Sequence, residues 1–270
     1  MVTRGIDRMQ MKNLRPRLSQ LRQASKQRLK DALQSWGVYY ALRKPRGADV
    51  LRDIRGRLPH VAIRTIFDIG ANIGQSIAPF VAAFPNAKIW GFEPVSQHHA
   101  RLCHRFSTNA AIRCERLAFG QTEGEIEIAL TSDPSMSHVT VHSNDLPNTV
   151  IIKGSEKVTM TTLDKYCQRN RIERIDFVKI DTEGHDLEVL RGATTLLSRG
   201  LISFIQCECS ASPENRYHCA LGALQSFLEE RGYRLFGFYE QVEDWTTGAP
   251  NLRRVNAVFI SPEVIRENRT

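Results

Sequence analysis

The 270-residue sequence contains no cysteine pair at the C-x-x-C spacing of a zinc site, no apolar run long enough to cross a bilayer, and no internal repeat or low-complexity tract. A metal-stapled miniature fold, an integral membrane protein and a repeat array are therefore set aside. Its six cysteines (Cys103, Cys114, Cys167, Cys207, Cys209 and Cys219) are scattered. Cys207 and Cys209 lie two apart in an apolar run, so on a strand they share one face and read as small buried hydrophobes rather than ligands. No secretory signal is recognised ahead of them, and a reducing cytoplasm is the expected compartment. The chain can lie on a membrane surface but is not expected to span one.

What is present is the composition of an ordinary globular protein, 41% hydrophobic and 24% charged, able to bury a substantial core without disulfides. The charge is unevenly placed. Residues 1–57 hold 15 Lys and Arg against 4 Asp and Glu, a net of +11, while the remaining 22 basic and 25 acidic residues leave the body at −3. An acidic body opposes a catalytic face built to follow a phosphate backbone. Two units are expected: a basic extension, 1–57, and a catalytic domain, 58–270.

Within the extension, Met11, Leu14, Leu18, Leu21, Leu29, Leu33, Trp36 and Tyr40 recur at spacings of three, four or their multiples among Lys and Arg. This predicts a basic amphipathic helix over 11–42, ended by Pro45 and Gly47. The preferred reading packs its stripe on the body or on a second copy in a homo-oligomer. A peripheral contact with the inner membrane surface comes next, then a transit peptide or disordered arm.

From residue 61, short β-rich runs alternate with helical stretches, the pattern of βαβ units and a parallel sheet. Strands are predicted near 64–69, 88–92, 111–118, 176–181, 202–208, 233–238 and 254–260. The last two follow one another without a helix and predict an antiparallel pair at the sheet edge. Apolar spacing predicts helices around Ile77 to Phe84, Val95 to Phe106, Leu187 to Leu197 and Leu221 to Leu228. Residues 120–160, with Gly120, Gly124, Pro134, Pro147 and Gly154 around alternating Glu125-Ile126-Glu127-Ile128, predict a hairpin and a long binding loop inserted in the domain.

Ile66-Phe67-Asp68-Ile69-Gly70-Ala71-Asn72-Ile73-Gly74 is an apolar strand running into a glycine turn and a helix, the place where an open α/β sheet binds a nucleotide-like ligand. A dinucleotide fingerprint laid from Gly70 would need glycine at Asn72 and Gln75, and it fails at both. A carboxylate two residues before the first glycine would repel a pyrophosphate. S-adenosylmethionine has no phosphate and carries an ammonium and a sulfonium, so an acidic strand end suits it. Gly70 and Gly74 allow a tight turn with close backbone approach, and Glu93, ending Ile89-Trp90-Gly91-Phe92-Glu93-Pro94, can accept both ribose hydroxyls.

These segments, with Ala118-Phe119-Gly120 and Val178-Lys179-Ile180-Asp181-Thr182-Glu183-Gly184-His185-Asp186, resemble FkbM-type methyltransferases over residues 62–260. The resemblance implies a Rossmann-like class I methyltransferase sheet, S-adenosylmethionine as donor, and methyl transfer to a hydroxyl of a sugar or natural product. By position it places Asp68, Gly70, Ala71, Asn72 and Gly74 at the methionine and ribose end, Glu93 at the ribose, Ala118 at the adenine, and Asp181 facing the transferred methyl. At His185-Asp186 the sequence departs from the family pattern, which often has a small or apolar residue followed by Glu.

A sugar hydroxyl is about as weak an acid as water, pKa about 15.7, so a base or metal must take up its proton. Asp181, Glu183 and Glu208, at or just beyond strand ends, are the candidates, followed by His185 and His138. Two carboxylates with water could hold Mg²⁺; a metal-free base is preferred. His98 and His99 read as solvated helix residues. The expected acceptor is a small molecule, a glycan or a lipid-linked glycan. Three other readings remain as alternatives: a nucleic-acid methyltransferase using the basic arm, which lacks an Asn-Pro-Pro-Tyr signature near Asp181; an NAD(P)-dependent oxidoreductase, disfavoured by the failed fingerprint and Asp68; and a catalytically silent scaffold that kept the fold.

Overall fold

The structure, a computed structural model, describes residues 45–131, 138–139, 151–244 and 248–268. The amphipathic stretch 11–42 and most of the loop between 131 and 151 lie outside the described residues. Residues Arg46–Thr270 form one compact unit.

Its centre is a seven-stranded sheet in the order β10-β11-β9-β8-β1-β2-β3. The strands are β1 (Thr65–Ile69), β2 (Lys88–Phe92), β3 (Ile112–Glu115), β8 (Ile175–Ile180), β9 (Ile202–Ser210), β10 (Arg234–Asp244) and β11 (Ala249–Ile260). β3, β2, β1, β8 and β9 run parallel, whereas β11 is antiparallel to both β9 and β10. The predicted antiparallel pair is thus present, with its second strand tucked inside the first. This mostly parallel α/β sheet is Rossmann-like, with its strand order reversing beside β1, where such sheets bind ligands.

Strand alternation sends successive side chains to opposite faces. Phe67, Ile69, Val178, Ile180, Ile205 and Cys207 join one core with α4 (Leu163–Asn170), α5 (Asp186–Arg191), α6 (Thr194–Ser198) and α7 (Leu221–Glu229). Ile66, Phe177, Phe204 and Val258 join the other with α1 (Val50–Arg57), α2 (Ile77–Ala83), α3 (Ser96–Phe106) and α8 (Pro262–Glu267). Cys207 and Cys209 are both fully buried in the first core. Helix α1, within the stretch assigned to the basic extension, buries Leu51 and Ile54 in the second.

Three elements differ from the sequence pattern. The single strand expected over 111–118 is two: the chain leaves the main sheet after Glu115 and re-forms as β4 (Ala118–Phe119) in a second sheet, ordered β4-β7-β5-β6, with β5 (Gly124–Thr131), β6 (His138–Val139) and β7 (Ile152–Thr161). The expected hairpin is β5–β7 of that sheet. The helix expected over Leu187 to Leu197 breaks at Gly192, whose missing side chain admits the Gly120 carbonyl; a Cβ would overlap that oxygen. Helix α4 had no counterpart in the sequence reading; its start is fixed by Thr162, whose side chain caps the Lys165 N–H, and its end by Arg171 in the left-handed conformation.

Candidate active site

A cavity of about 440 Å³ opens at the carboxyl ends of β1, β2 and β8, a volume within the range of small-molecule sites. Its floor is the turn after β1. Gly70 and Asn72 both have positive φ, 80° and 49°, and the N–H groups of Gly70 and Ala71 both donate to the Phe92 carbonyl. Glu93, next in chain, accepts from the Asn72 N–H through Oε2 and from the Val95 N–H through Oε1, each at 2.9 Å. Its carboxylate is thereby locked at the cavity wall with a lone pair on each oxygen left for a ligand.

One end of the cavity is an apolar slot of Pro94, Val95, Leu117, Ala118, Ile126 and Ile128. Val95, Ala118 and Ile128 pack with Val158 as one cluster, so the second sheet builds this wall. A flat purine fits such a slot. The polar part of the lining includes Lys179, Asp181, Thr182, Glu183, His185 and Glu240. Apolar slot, two-oxygen acceptor and charged lining match S-adenosylmethionine in its adenine, ribose and charged methionine parts.

Of the residues singled out from sequence, Gly70, Ala71, Asn72, Glu93, Ala118, Asp181, Glu183 and His185 line this cavity. Asp68, Gly74 and Glu208 stand off it. Asp68 is fully buried beneath the wall, accepting from Ser76 Oγ at 2.6 Å with Lys179 Nζ at 4.0 Å; burial pushes its carboxyl above the ordinary value despite that lysine. Ser76 and Lys179, not Asp68 itself, face the ligand space. Gly74 sits under α3, where a Cβ would strike Phe106 and Leu102, so it serves the packing of the turn. Of His138, only the backbone in β6 is described.

Lys179 and His98, both missed from sequence, line the cavity, and His218, also missed, lies behind it. Lys179, near the end of β8, places Nζ 2.7 Å from Asp181 Oδ2. Burial would lower its ammonium, but the Asp181 and Asp68 carboxylates outweigh that and hold it above its ordinary value. Asp181 likewise would rise on burial, yet Lys179 keeps it below the ordinary carboxylate range. His98, read as solvated, is buried on the cavity wall with Nδ1 3.8 Å from Glu93 Oε1; its helix face is that of Leu102 four residues on. The residue behind the wall is His218, whose Nε2 lies 2.9 Å from Glu208 Oε2 and 3.8 Å from Glu183 Oε2.

Glu183 is held in a left-handed backbone conformation, φ 53°, followed by Gly184 at 96°, where a Cβ on Gly184 would overlap the Tyr217 carbonyl. Non-glycine residues adopt this conformation at a cost, and it recurs at functional sites. Burial first, and the Asp181 carboxylate second, push the Glu183 carboxyl up to about 8. Asp186 caps the same loop, accepting from the Thr182 N–H and hydroxyl at 3.2 and 2.7 Å, and burial pushes it to about 7. His185 lies against Glu188, Nδ1 to Oε2 3.8 Å.

The ligand atoms of Glu183, Glu208 and His218 lie within 4.8 Å of one another, a spacing open to a cation. Arg254 already ion-pairs Glu208 from β11, and a fixed guanidinium on the same carboxylate opposes a second positive charge there.

Hexuronic acid methyltransferase AglP of Haloferax volcanii is 23% identical over 173 residues, covering 61% of this chain and 68% of that protein. 2-O-methyltransferase NoeI of Sinorhizobium fredii is 24% identical over 147 residues, covering 50% of this chain and 59% of the relative. Among solved structures, the N-terminal domain of human METTL16 in complex with SAH superposes with a TM-score of 0.41 at 12% identity, covering 78% of this chain and 67% of that one. The methyltransferase FkbM domain matches residues 68–235, more than half of the sequence, and this chain belongs to the FkbM methyltransferase family.

Proposed function

We propose that this methyltransferase uses S-adenosylmethionine to methylate a hydroxyl of a sugar, free or within a glycan or lipid-linked glycan, and that Glu183 is the base. The observation that carries the reading is the placement of Glu183: a carboxyl with a pKa near 8 on the wall of a cavity that also holds an apolar slot beside a locked Glu93. The names of the two relatives, a hexuronic acid methyltransferase and a 2-O-methyltransferase, support the acceptor class.

S-adenosylmethionine, when bound, supplies a methyl group on positively charged sulfur. The chain's own residues divide the remaining work. Glu93 takes the ribose hydroxyls, and the slot from Pro94 to Ile128 takes the adenine and excludes water from it. Asp181, kept ionised by Lys179, complements the positive end of the cofactor; a carboxylate so stabilised is a weak base. Glu183, with a pKa near the working pH, is the better matched to receive the hydroxyl proton on a carboxylate oxygen. Glu208 lies behind it and acts through it, without touching the acceptor, and no role is assigned to His185. Alignment of the acceptor oxygen supplies the rest of the acceleration. With Arg254 on Glu208, a base without Mg²⁺ is the favoured version.

Incubation of the protein with methyl-labelled S-adenosylmethionine and fractionated glycans, lipids and nucleic acids tests the reading. Label recovered as a sugar methyl ether supports it; label confined to nucleic acid overturns it in favour of an RNA or DNA acceptor.

A further inference from the structure

Behind Glu183 lies a buried titratable group that the reaction as described does not use. His218, on the loop between β9 and α7, has a side chain only 9% exposed. Its neighbour Asn215 is buried: Oδ1 accepts from the Tyr217 N–H at 3.3 Å, Nδ2 donates to the Arg253 carbonyl at 3.2 Å, and His218 Nδ1 lies 3.1 Å from Nδ2 and 3.3 Å from Oδ1. The Glu208 carboxylate, ion-paired to Arg254, can only accept at 2.9 Å from Nε2, so the proton of the neutral imidazole sits on Nε2 and leaves Nδ1 to accept from Asn215 Nδ2. That N–H points to Glu208 Oε2 at 2.9 Å and has Glu183 Oε2 at 3.8 Å.

We propose that His218 is a positioning residue for methyl transfer: with its tautomer set by Glu208, its Nε2–H supports the negative charge that Glu183 must carry to accept the acceptor's proton. The inference rests on the assignment of Glu183 as base. Every element around the imidazole contributes a charge: Glu208 from β9, Arg253 and Arg254 from β11, Asp181 and Glu183 from the loop after β8, and Asp186 from α5. Arg254 compensates Glu208, so the Nε2–H dipole is left to act on Glu183. Burial, against the pull of Asp186 and Asp181, keeps the imidazole below its ordinary pKa, and the neutral tautomer is the working form.

The test is made on the full chain, without cofactor, by carbon-13 NMR of protein labelled at glutamate side-chain carboxyls, the Glu183 signal being the one lost in Glu183→Gln. In the wild type a midpoint near pH 8 is expected. His218→Ala is expected to raise the midpoint by about a unit, moving the acid limb of turnover by the same tenfold factor with little change in acceptor KM. His218→Gln, whose amide nitrogen stands where Nε2 stood, restores the midpoint most of the way. If His218→Ala does not fold, His218→Asn replaces it; its amide reaches only the Nδ1 position, so the same upward shift is expected. Equal midpoints in wild type, alanine or asparagine, and glutamine variants would overturn the inference. Full turnover in Glu183→Gln would instead remove the base assignment, so the two failures are distinct.

Discussion

The missing side chain of Gly70 is the space into which the Asp181 carbonyl fits: a Cβ built on Gly70, at φ 80°, would overlap that oxygen. The ends of β1 and β8 meet there, joined by the Asp181 N–H donating to the Ile69 carbonyl at 3.0 Å. The obstacle to a larger residue is therefore the protein's own backbone before it is any ligand. Gly70→Ala is expected to cost about 1–3 kcal/mol from the left-handed conformation alone, and Gly70→Val more, with S-adenosylmethionine binding lost in both. Gly222→Ala, on an exposed turn of α7 with nothing within 4 Å of its Cβ, is the control and should be neutral or stabilising by about 0.5–1 kcal/mol. Thermal melts and calorimetry read both quantities; unchanged melting of Gly70→Val would refute the packing account.

Glu183 sets opposite pH trends for activity and stability. The proton acceptor must be ionised, so kcat should rise with pH through about 8, and Glu183→Gln should lower it by roughly 10²–10⁴ with little change in cofactor affinity. For stability, the folded carboxyl titrates at about 8 against 4.5 for the ordinary group. The unfolded chain gives up its proton first, so this group's favourable contribution is complete below pH 4.5 and lost as pH rises through 8. Glu183→Gln, which never ionises, is expected to melt several degrees higher than wild type at pH 9 and about equally at pH 4.5. An activity profile flat from pH 6 to 9 would count against the base. Asp181→Asn should weaken cofactor binding and also lower the pH midpoint below 8, because the Asp181 carboxylate is the second cause that raises Glu183.

The strand-turn segments Ile66–Gly74 and Ile89–Pro94 were legible because their chemistry is local: an apolar run, a glycine turn, and a carboxylate at a strand end. What was not legible is which way a side chain faces once the sheet has formed. Asp68 shares its strand end with the cavity yet points beneath it, because Ser76 and Lys179 come between. Gly74 was read with Gly70 as ligand-facing, but the packing of α3 claims it. His98 carried a readable signal in its four-residue spacing to Leu102, masked by the polar Gln97 and His99. His218 carried none: it reaches Glu183 and Glu208 only through the folding of the loop between β9 and α7. The second sheet was half visible, in the alternation of β5, because the departure of β4 from the line of β3 leaves no mark in hydrophobic pattern.

Chelation separates the two ways of handling the acceptor proton. With Arg254 paired to Glu208, turnover should survive EDTA at full rate, and Arg254→Gln, which removes the competing cation, should not create a need for metal in the wild-type assay. Activity lost on chelation and restored by Mg²⁺ would show that Glu183, Glu208 and His218 hold a cation during turnover, and would replace the metal-free base.

The basic stretch 1–57, +11 beside a body of −3, makes a prediction about where the enzyme works. Each Lys or Arg held near an anionic bilayer contributes about 1 kcal/mol, fading within a Debye length of about 8 Å at physiological salt, so half of the extension's charges suffice for reversible attachment. Attachment would suit an acceptor presented on a lipid carrier. Because α1 buries Leu51 and Ile54 in the core, the informative truncation begins at Arg46, the start of the compact unit, and leaves that helix in place. The truncated chain is expected to fold, to bind S-adenosylmethionine with wild-type affinity, and to lose the sedimentation with anionic vesicles that the full chain shows at low salt. Should the full chain ignore such vesicles while truncation lowers the melting temperature or dissociates an oligomer, the extension is a packing element and the membrane reading is wrong.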